Sequence, residues 1–142
     1  MKKCDHFILV LFMFLSAFVL KAMDTVQVSS GVRYILHKQG AGPLLQSNQQ
    51  VKIQYKIYFH NRGVPDSILP KAPLKCIITD TSIIAGLRVC LPYFNAGTHA
   101  EILIPHPMAY GTVGVEDPNQ EGAYIIPPNT DLRMEIFILQ VK

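Results

Sequence analysis

From Val51 to Ile57 apolar and polar residues alternate without a break: Val-Lys-Ile-Gln-Tyr-Lys-Ile. Side chains on an extended strand project to opposite faces in turn, so Val51, Ile53, Tyr55 and Ile57 must share one face and cover a core. A helix would scatter the same residues around its whole circumference. The pattern recurs at Leu74, Cys76 and Ile78, at Ala100, Ile102 and Ile104, and at Leu132, Met134, Ile136 and Ile138. Gly31–Leu36 is expected to begin the sheet, ending at the turn Gly40-Ala41-Gly42-Pro43. Glycine and proline punctuate these runs, as expected for half-buried strands in an antiparallel sheet.

One segment departs from period two. After Asp80-Thr81-Ser82, the residues Ile83, Ile84, Leu87, Val89 and Leu91 are spaced for a short helix. Asp, Thr and Ser are good helix-starting residues, and Pro92 is expected to end the element. Gly86 costs a helix about 1 kcal/mol relative to Ala, so packing rather than propensity must hold it. One short helix against an antiparallel sheet is an α+β architecture.

The chain begins differently. Lys2 and Lys3 precede Phe7–Leu20, a run of 14 residues that is apolar except for Ser16. As a helix it would span about 21 Å, short of the roughly 30 Å hydrocarbon core of a bilayer. Residues 1–22 therefore read as a secretion signal cleaved after Ala22, with an uncleaved membrane anchor as the alternative. Residues 23–142 form one domain. That domain keeps ten basic and nine acidic side chains, a net charge of +1. Such a balance gives no reason to expect nucleic acid as a partner. Two cysteines remain, Cys76 and Cys90, which either pair or pack as small buried hydrophobes. The second state is the expected one.

Pro105–Pro128 carries five of the ten prolines and three glycines, with no sustained period. Long irregular segments in compact domains are usually functional or disordered. Met108, Tyr110, Tyr124, Ile125 and Ile126 argue for order, since apolar residues of that kind need something to cover. Motifs for hydrolytic, phosphate-binding or zinc chemistry are absent: there is no G-x-S-x-G, no P-loop, no H-E-x-x-H and no C-x-x-C. No metal and no cofactor are implied. His99 and Glu101 share a strand face and read as an exposed polar surface opposite Ala100, Ile102 and Ile104.

In order along the chain, Ser30–Tyr34 with Gly40–Pro43, Val51–Tyr55, Asp66-Ser67, Ile83–Leu87, Ala96-Gly97 with His99–Pro105, Ala109-Tyr110-Gly111 and Ile125–Asn129 resemble the FKBP-type peptidyl-prolyl cis-trans isomerases. The matching motifs are the family's "V-x-V-x-Y", "F-D-S", "V-I-x-G-W/L", "A-Y-G" and "I-P-P-N". The resemblance implies a twisted antiparallel half-barrel wrapped around one short helix. It also implies rotation of X–Pro bonds in proline-containing polypeptides during folding of exported proteins. Carried over by position, Tyr55, Asp66, Ile84 and Tyr110 would be catalytic. Leu74, Ile83, Leu87, Ile125 and Met134 would bind substrate. A hydrogen bond between Tyr55 and the Asp66 carboxylate would be within reach.

The expected location is the periplasm, with membrane contact only if the signal is uncleaved. Four positions depart from the family's pattern. Pro65 and Met134 stand where it has Phe, Leu74 where it has an aromatic, and Leu87 where Trp is usual. Each lost aromatic contact removes about 0.5–1.5 kcal/mol of binding. These losses support a second reading, a non-catalytic chaperone or protein-binding module on the same fold.

Overall fold

The computed structural model describes residues 24–142, so the secretion signal expected over residues 1–22 lies outside them. Nine strands follow in order: β1 (Thr25–Ser29), β2 (Val32–Lys38), β3 (Gln50–Asn61), β4 (Val64–Ile68), β5 (Leu74–Ile77), β6 (His99–Ile104), β7 (Val115–Glu116), β8 (Tyr124–Ile126) and β9 (Leu132–Val141). One α-helix, α1 (Ala85–Cys90), lies between β5 and β6. Among the described residues no helix is long and apolar enough to cross a membrane.

The main sheet runs β1-β2-β6-β9-β3-β4, antiparallel throughout, and β5 also pairs with β3. Its inner face is the one the alternation predicts. Val51, Ile53, Ala100, Ile102, Ile136 and Ile138 are almost wholly buried, together with Leu87, Cys90 and Leu91 from the helical segment. Cys76 and Cys90 are free and buried thiols. Burial pushes the Cys90 thiol up to about 12.

The helix is shorter than its sequence signals suggest. Asp80 Oδ1 accepts the Ser82 N–H at 2.8 Å, so the acid caps a turn ahead of the helix. The helix itself starts only after Ile84, which caps it without a side-chain bond. Pro92 sits inside a 3₁₀ turn over Leu91–Tyr93 that prolongs the element. Gly86 has a specific reason to be there: a Cβ at that position would run into Ile104 Cγ2 and stand 3.1 Å from the Met108 carbonyl oxygen. Helix α1 thus lies closer to β6 than any residue with a side chain permits.

The outer face carries a polar network. Glu135 Oε1 pairs with His99 Nε2 at 2.9 Å, and Tyr58 Oη donates to Glu135 Oε2 at 3.3 Å. Arg133 Nη1 donates to Glu101 Oε2 at 2.9 Å, while its guanidinium lies 4.1 Å from the centre of the Tyr58 ring. His99 and Glu101 therefore serve the sheet surface, each tied to a different partner on β9.

A buried polar knot joins the first turn to the segment before β6. Thr98 Oγ1 donates to Asn95 Oδ1 at 2.8 Å, and Asn95 Nδ2 donates to the Gly42 carbonyl at 3.1 Å. Both side chains are buried, and no buried side-chain polar atom among the described residues lacks a partner. The sequence pattern does not announce this knot, because Asn and Thr in a turn ordinarily read as solvated.

Candidate functional site

On β3 the outer edge is paired twice, with β4 over residues 57–61 and with β5 over residues 50–53. The chain leaves the sheet between them, and Tyr55 stands at the gap. There a cleft of about 140 Å³ opens between the sheet and α1. Tyr55 and Ile57 come from β3, Met134 from β9 and Leu74 from β5; Ser82, Ile83, Ile84 and Leu87 come from the helical side, and Tyr110 from the loop after β6.

Seven of the nine residues singled out in the sequence thus converge: Tyr55, Leu74, Ile83, Ile84, Leu87, Tyr110 and Met134. Two do not. Ile125 is 39 % exposed, and its neighbour Ile126 is the buried member of the pair. Asp66 is exposed and lines a different cavity.

The position of Asp66 follows from the register of the β3–β4 hairpin. Its tight turn has Arg62 at φ 50° and Gly63 at φ 82°, the twisted two-residue geometry that suits a hairpin. That turn pairs Phe59 with Asp66. Asp66 therefore projects four residues beyond Tyr55 along β3, about 13 Å at strand rise. Its Oδ1 accepts the N–H of Ser67 at 2.7 Å instead of a tyrosine hydroxyl.

Tyr110 is fixed by its loop. Gly111 N–H donates to the His106 carbonyl at 2.8 Å, Asn129 N–H to the Gly111 carbonyl at 2.8 Å, and Gly114 N–H to the Tyr110 carbonyl at 3.1 Å. His106 in turn is tied to Asp131 Oδ1 through its backbone N–H at 2.7 Å. Further on, β7 and β8 pair, so the proline-rich segment is an ordered structure with its own small hairpin. Burial, reinforced by Tyr55 nearby, holds the Tyr110 phenol above its ordinary titration range.

Chemically the cleft has an apolar floor, two phenols (Tyr55 and Tyr110), the Ser82 hydroxyl and the start of a helical segment, with Ile84 in an extended conformation ahead of it. It contains no carboxylate, imidazole or thiol. Among the described residues no group of three or more His, Cys, Asp or Glu is arranged to hold a metal. What the cleft can do is desolvate a small apolar ring and hold a carbonyl at its rim.

A family model described as FKBP-type peptidyl-prolyl cis-trans isomerase matches residues 42–139. The chain is 27 % identical over 124 residues to the FKBP-type peptidyl-prolyl cis-trans isomerase FkpA of Buchnera aphidicola subsp. Baizongia pistaciae, covering 87 % of this chain and 46 % of the relative. It is 32 % identical over 93 residues to FK506-binding protein 1 of Saccharomyces cerevisiae, covering 65 % of this chain and 75 % of that one. Among solved structures, FkpA from Escherichia coli superposes with a TM-score of 0.68 at 25 % identity, over 86 % of this chain and 53 % of the other. AtFKBP13 superposes with a TM-score of 0.70 at 24 % identity, over 84 % and 99 %. The chain spans about half the length of the FkpA relatives it matches.

Proposed function

Since the chain belongs to the FKBP-type peptidyl-prolyl cis-trans isomerase family, we propose that it accelerates rotation about X–Pro bonds in polypeptides, and that it does so in the cleft between Tyr55 and Tyr110. The observation that carries this reading is the convergence of Tyr55, Ile83, Ile84, Leu87, Tyr110 and Met134 on one apolar hollow from four separate parts of the chain.

An X–Pro bond rotates over a barrier of about 18–20 kcal/mol because the twisted state loses amide resonance. That state also has less charge separation than the planar amide. A dry hollow floored by Leu74, Ile83, Leu87 and Met134 therefore favours it over the ground state. The Tyr110 hydroxyl, kept protonated, donates to a substrate carbonyl at the rim, and the Ile84 N–H offers a second donor. Tyr55 walls the cleft beside them. Nothing in this step needs a nucleophile, and no cofactor is called for.

The test is a prolyl-peptide isomerisation assay on residues 23–142. Tyr110→Phe removes one neutral hydrogen bond, worth about 0.5–1.5 kcal/mol. It is therefore expected to lower kcat/KM by roughly two- to twelve-fold with the fold intact by circular dichroism. A folded wild-type domain with no rate above background would replace this reading by the binding module, which the leucines and methionine at the aromatic positions favour.

The setting is part of the same proposal. Lys2, Lys3 and the apolar run Phe7–Leu20 support export to the periplasm, where the clients would be newly exported chains. N-terminal sequencing of protein recovered from its host decides this: a new terminus near residue 23 supports it, and an intact Met1 in the cytosol refutes it.

A further inference from the structure

Lysines gather on the outer face of the sheet, at the end of β3 away from its hairpin with β4. Lys52 on β3 stands directly opposite Lys75 on β5 and, on its other side, opposite Gln140 on β9. One step along the same face, Gln50 stands opposite Ile77 and is joined to Lys142 by backbone hydrogen bonds of 2.9 and 3.0 Å. Strand alternation puts these side chains on the outer face, since Val51 and Cys76 between them are buried in the core. Gln50, Lys52, Lys75, Gln140 and Lys142, with Val51 beneath, line a hollow of about 120 Å³.

By itself this arrangement is unfavourable. Directly opposed residues carry their Cβ atoms about 4.5–5.5 Å apart, and diagonal neighbours lie about 7–8 Å apart. Lys52 therefore has one cationic side chain beside it in Lys75 and a second on the diagonal in Lys142. Like charges so placed destabilise a sheet. Elsewhere on the outer face cations are compensated: Arg133 holds Glu101, and the Lys56 ammonium lies 4.7 Å from the centre of the Tyr58 ring. Here no carboxylate side chain lines the hollow. Among the described residues none of the three lysines is ion-paired, whether with the α-carboxylate of Lys142 or with any other. Gln50 and Gln140 add amide N–H donors. Three uncompensated ammoniums and two amides around one hollow are complementary to a compact anion.

We propose that this hollow binds a small multivalent anion of the phosphate class, free or carried on a lipid headgroup. Lys52, Lys75 and Lys142 supply point charges, the way lysine ordinarily serves phosphate, and the two glutamines donate from the flanks. The bound anion relieves the repulsion between Lys52 and Lys75, so occupancy stabilises the fold. The cleft lies on the other face of the sheet, so this site stands whether or not the cleft turns over prolyl peptides.

The probe is inorganic phosphate, compared with sodium chloride at equal ionic strength, and the first readout is Tm. Phosphate at about ten times its Kd is expected to raise the wild-type Tm by roughly 3–8 °C beyond chloride. Lys52→Gln and Lys75→Gln should each remove most of that gain. Without phosphate, at low salt, both variants should melt at or slightly above the wild-type temperature, because each relieves the opposed charges. On the wild type, phosphate should shift the amide NMR signals of residues 50–52, 75 and 140–142. Sedimentation with vesicles separates the two sources. Preference for phosphatidylglycerol over phosphatidylcholine vesicles, lost in both variants, assigns a headgroup; a phosphate response without that preference assigns the free ion. The proposal is overturned if phosphate acts as chloride does and the two kinds of vesicle bind alike. It is equally overturned if the variants gain as much from phosphate as the wild type, or if either melts well below the wild type in its absence.

Discussion

The two faces of the main sheet are built from the same strands by opposite means. On the inner face Ile57, Ile102 and Met134 are buried to 4 % exposure or less and belong to one apolar core with Leu87 and Cys90 of helix α1. On the outer face the residues next to them, Tyr58, Glu101 and Arg133, are joined by directed bonds between charged or aromatic groups. Burial of an apolar side chain contributes about 1.5–3 kcal/mol, whereas an exposed ion pair contributes about 0–1 kcal/mol. The inner face therefore holds the fold together, and the outer face sets the charge pattern around it. The cleft lies on the inner side, between the sheet and α1.

The most severe test of this contrast is Gly86→Ala. In an exposed helix the change would stabilise by about 1 kcal/mol. Here the added Cβ meets Ile104, which is 1 % exposed and has nowhere to go. Overpacking of this kind costs about 1–3 kcal/mol, so the variant is expected to unfold at clearly lower urea concentration. Equal or greater stability would mean that α1 does not press on β6 as closely as drawn, and the inner face would lose its claim to tight packing.

How much of this was legible follows the same division. Four strands of the inner face were readable because burial on one side imposes period two on the sequence, and Ile53, Ile102 and Ile136 had no alternative position. The helix was readable from its break in that period. Its start was misplaced, because Asp80 caps a preceding turn rather than the helix. Strands β1 and β4 went unread for a physical reason: both are mostly exposed, so neither face selects apolar residues. Asp66 is the instructive case. The motif order in the sequence sets it beside Tyr55, yet position across a sheet depends on hairpin register. The turn at Arg62-Gly63 sets that register, and nothing in the alternation encodes it.

A second test uses pH on the inner face. Cys90 is completely buried, and its thiol is raised from an ordinary 9.0 to about 12 by burial alone. The folded state therefore keeps a proton that the unfolded chain gives up above pH 9. Stability is fully present below that value and falls as pH climbs toward 12, by up to about 1.4 kcal/mol per pH unit from this group. Comparing denaturant midpoints of wild type and Cys90→Ala across pH 8–11 isolates the contribution. The wild type should lose stability more steeply, and parallel curves would show that the thiol is reached by water in the folded state.

The smallest expected effect comes from the outer face, and it is the one that discriminates best between the two. The Glu135 carboxyl is held below its ordinary 4.5 first by the His99 hydrogen bond, with Tyr58 and the charges of His99 and His37 adding to it and partial burial opposing. A depressed folded value means that the stabilisation is present above pH 4.5 and disappears as pH falls through the folded value. The carboxylate is 29 % exposed, so solvent screens the pair and Glu135→Gln should cost only about 0.2–1 kcal/mol at pH 7. The substitution should also flatten the acid limb of the stability curve and leave the alkaline limb set by Cys90 untouched. Added salt should narrow the gap between wild type and Glu135→Gln at pH 7, because the interaction is electrostatic. A loss of 2 kcal/mol or more, indifferent to salt, would place Glu135 among the groups that hold the fold and dissolve the distinction between the faces.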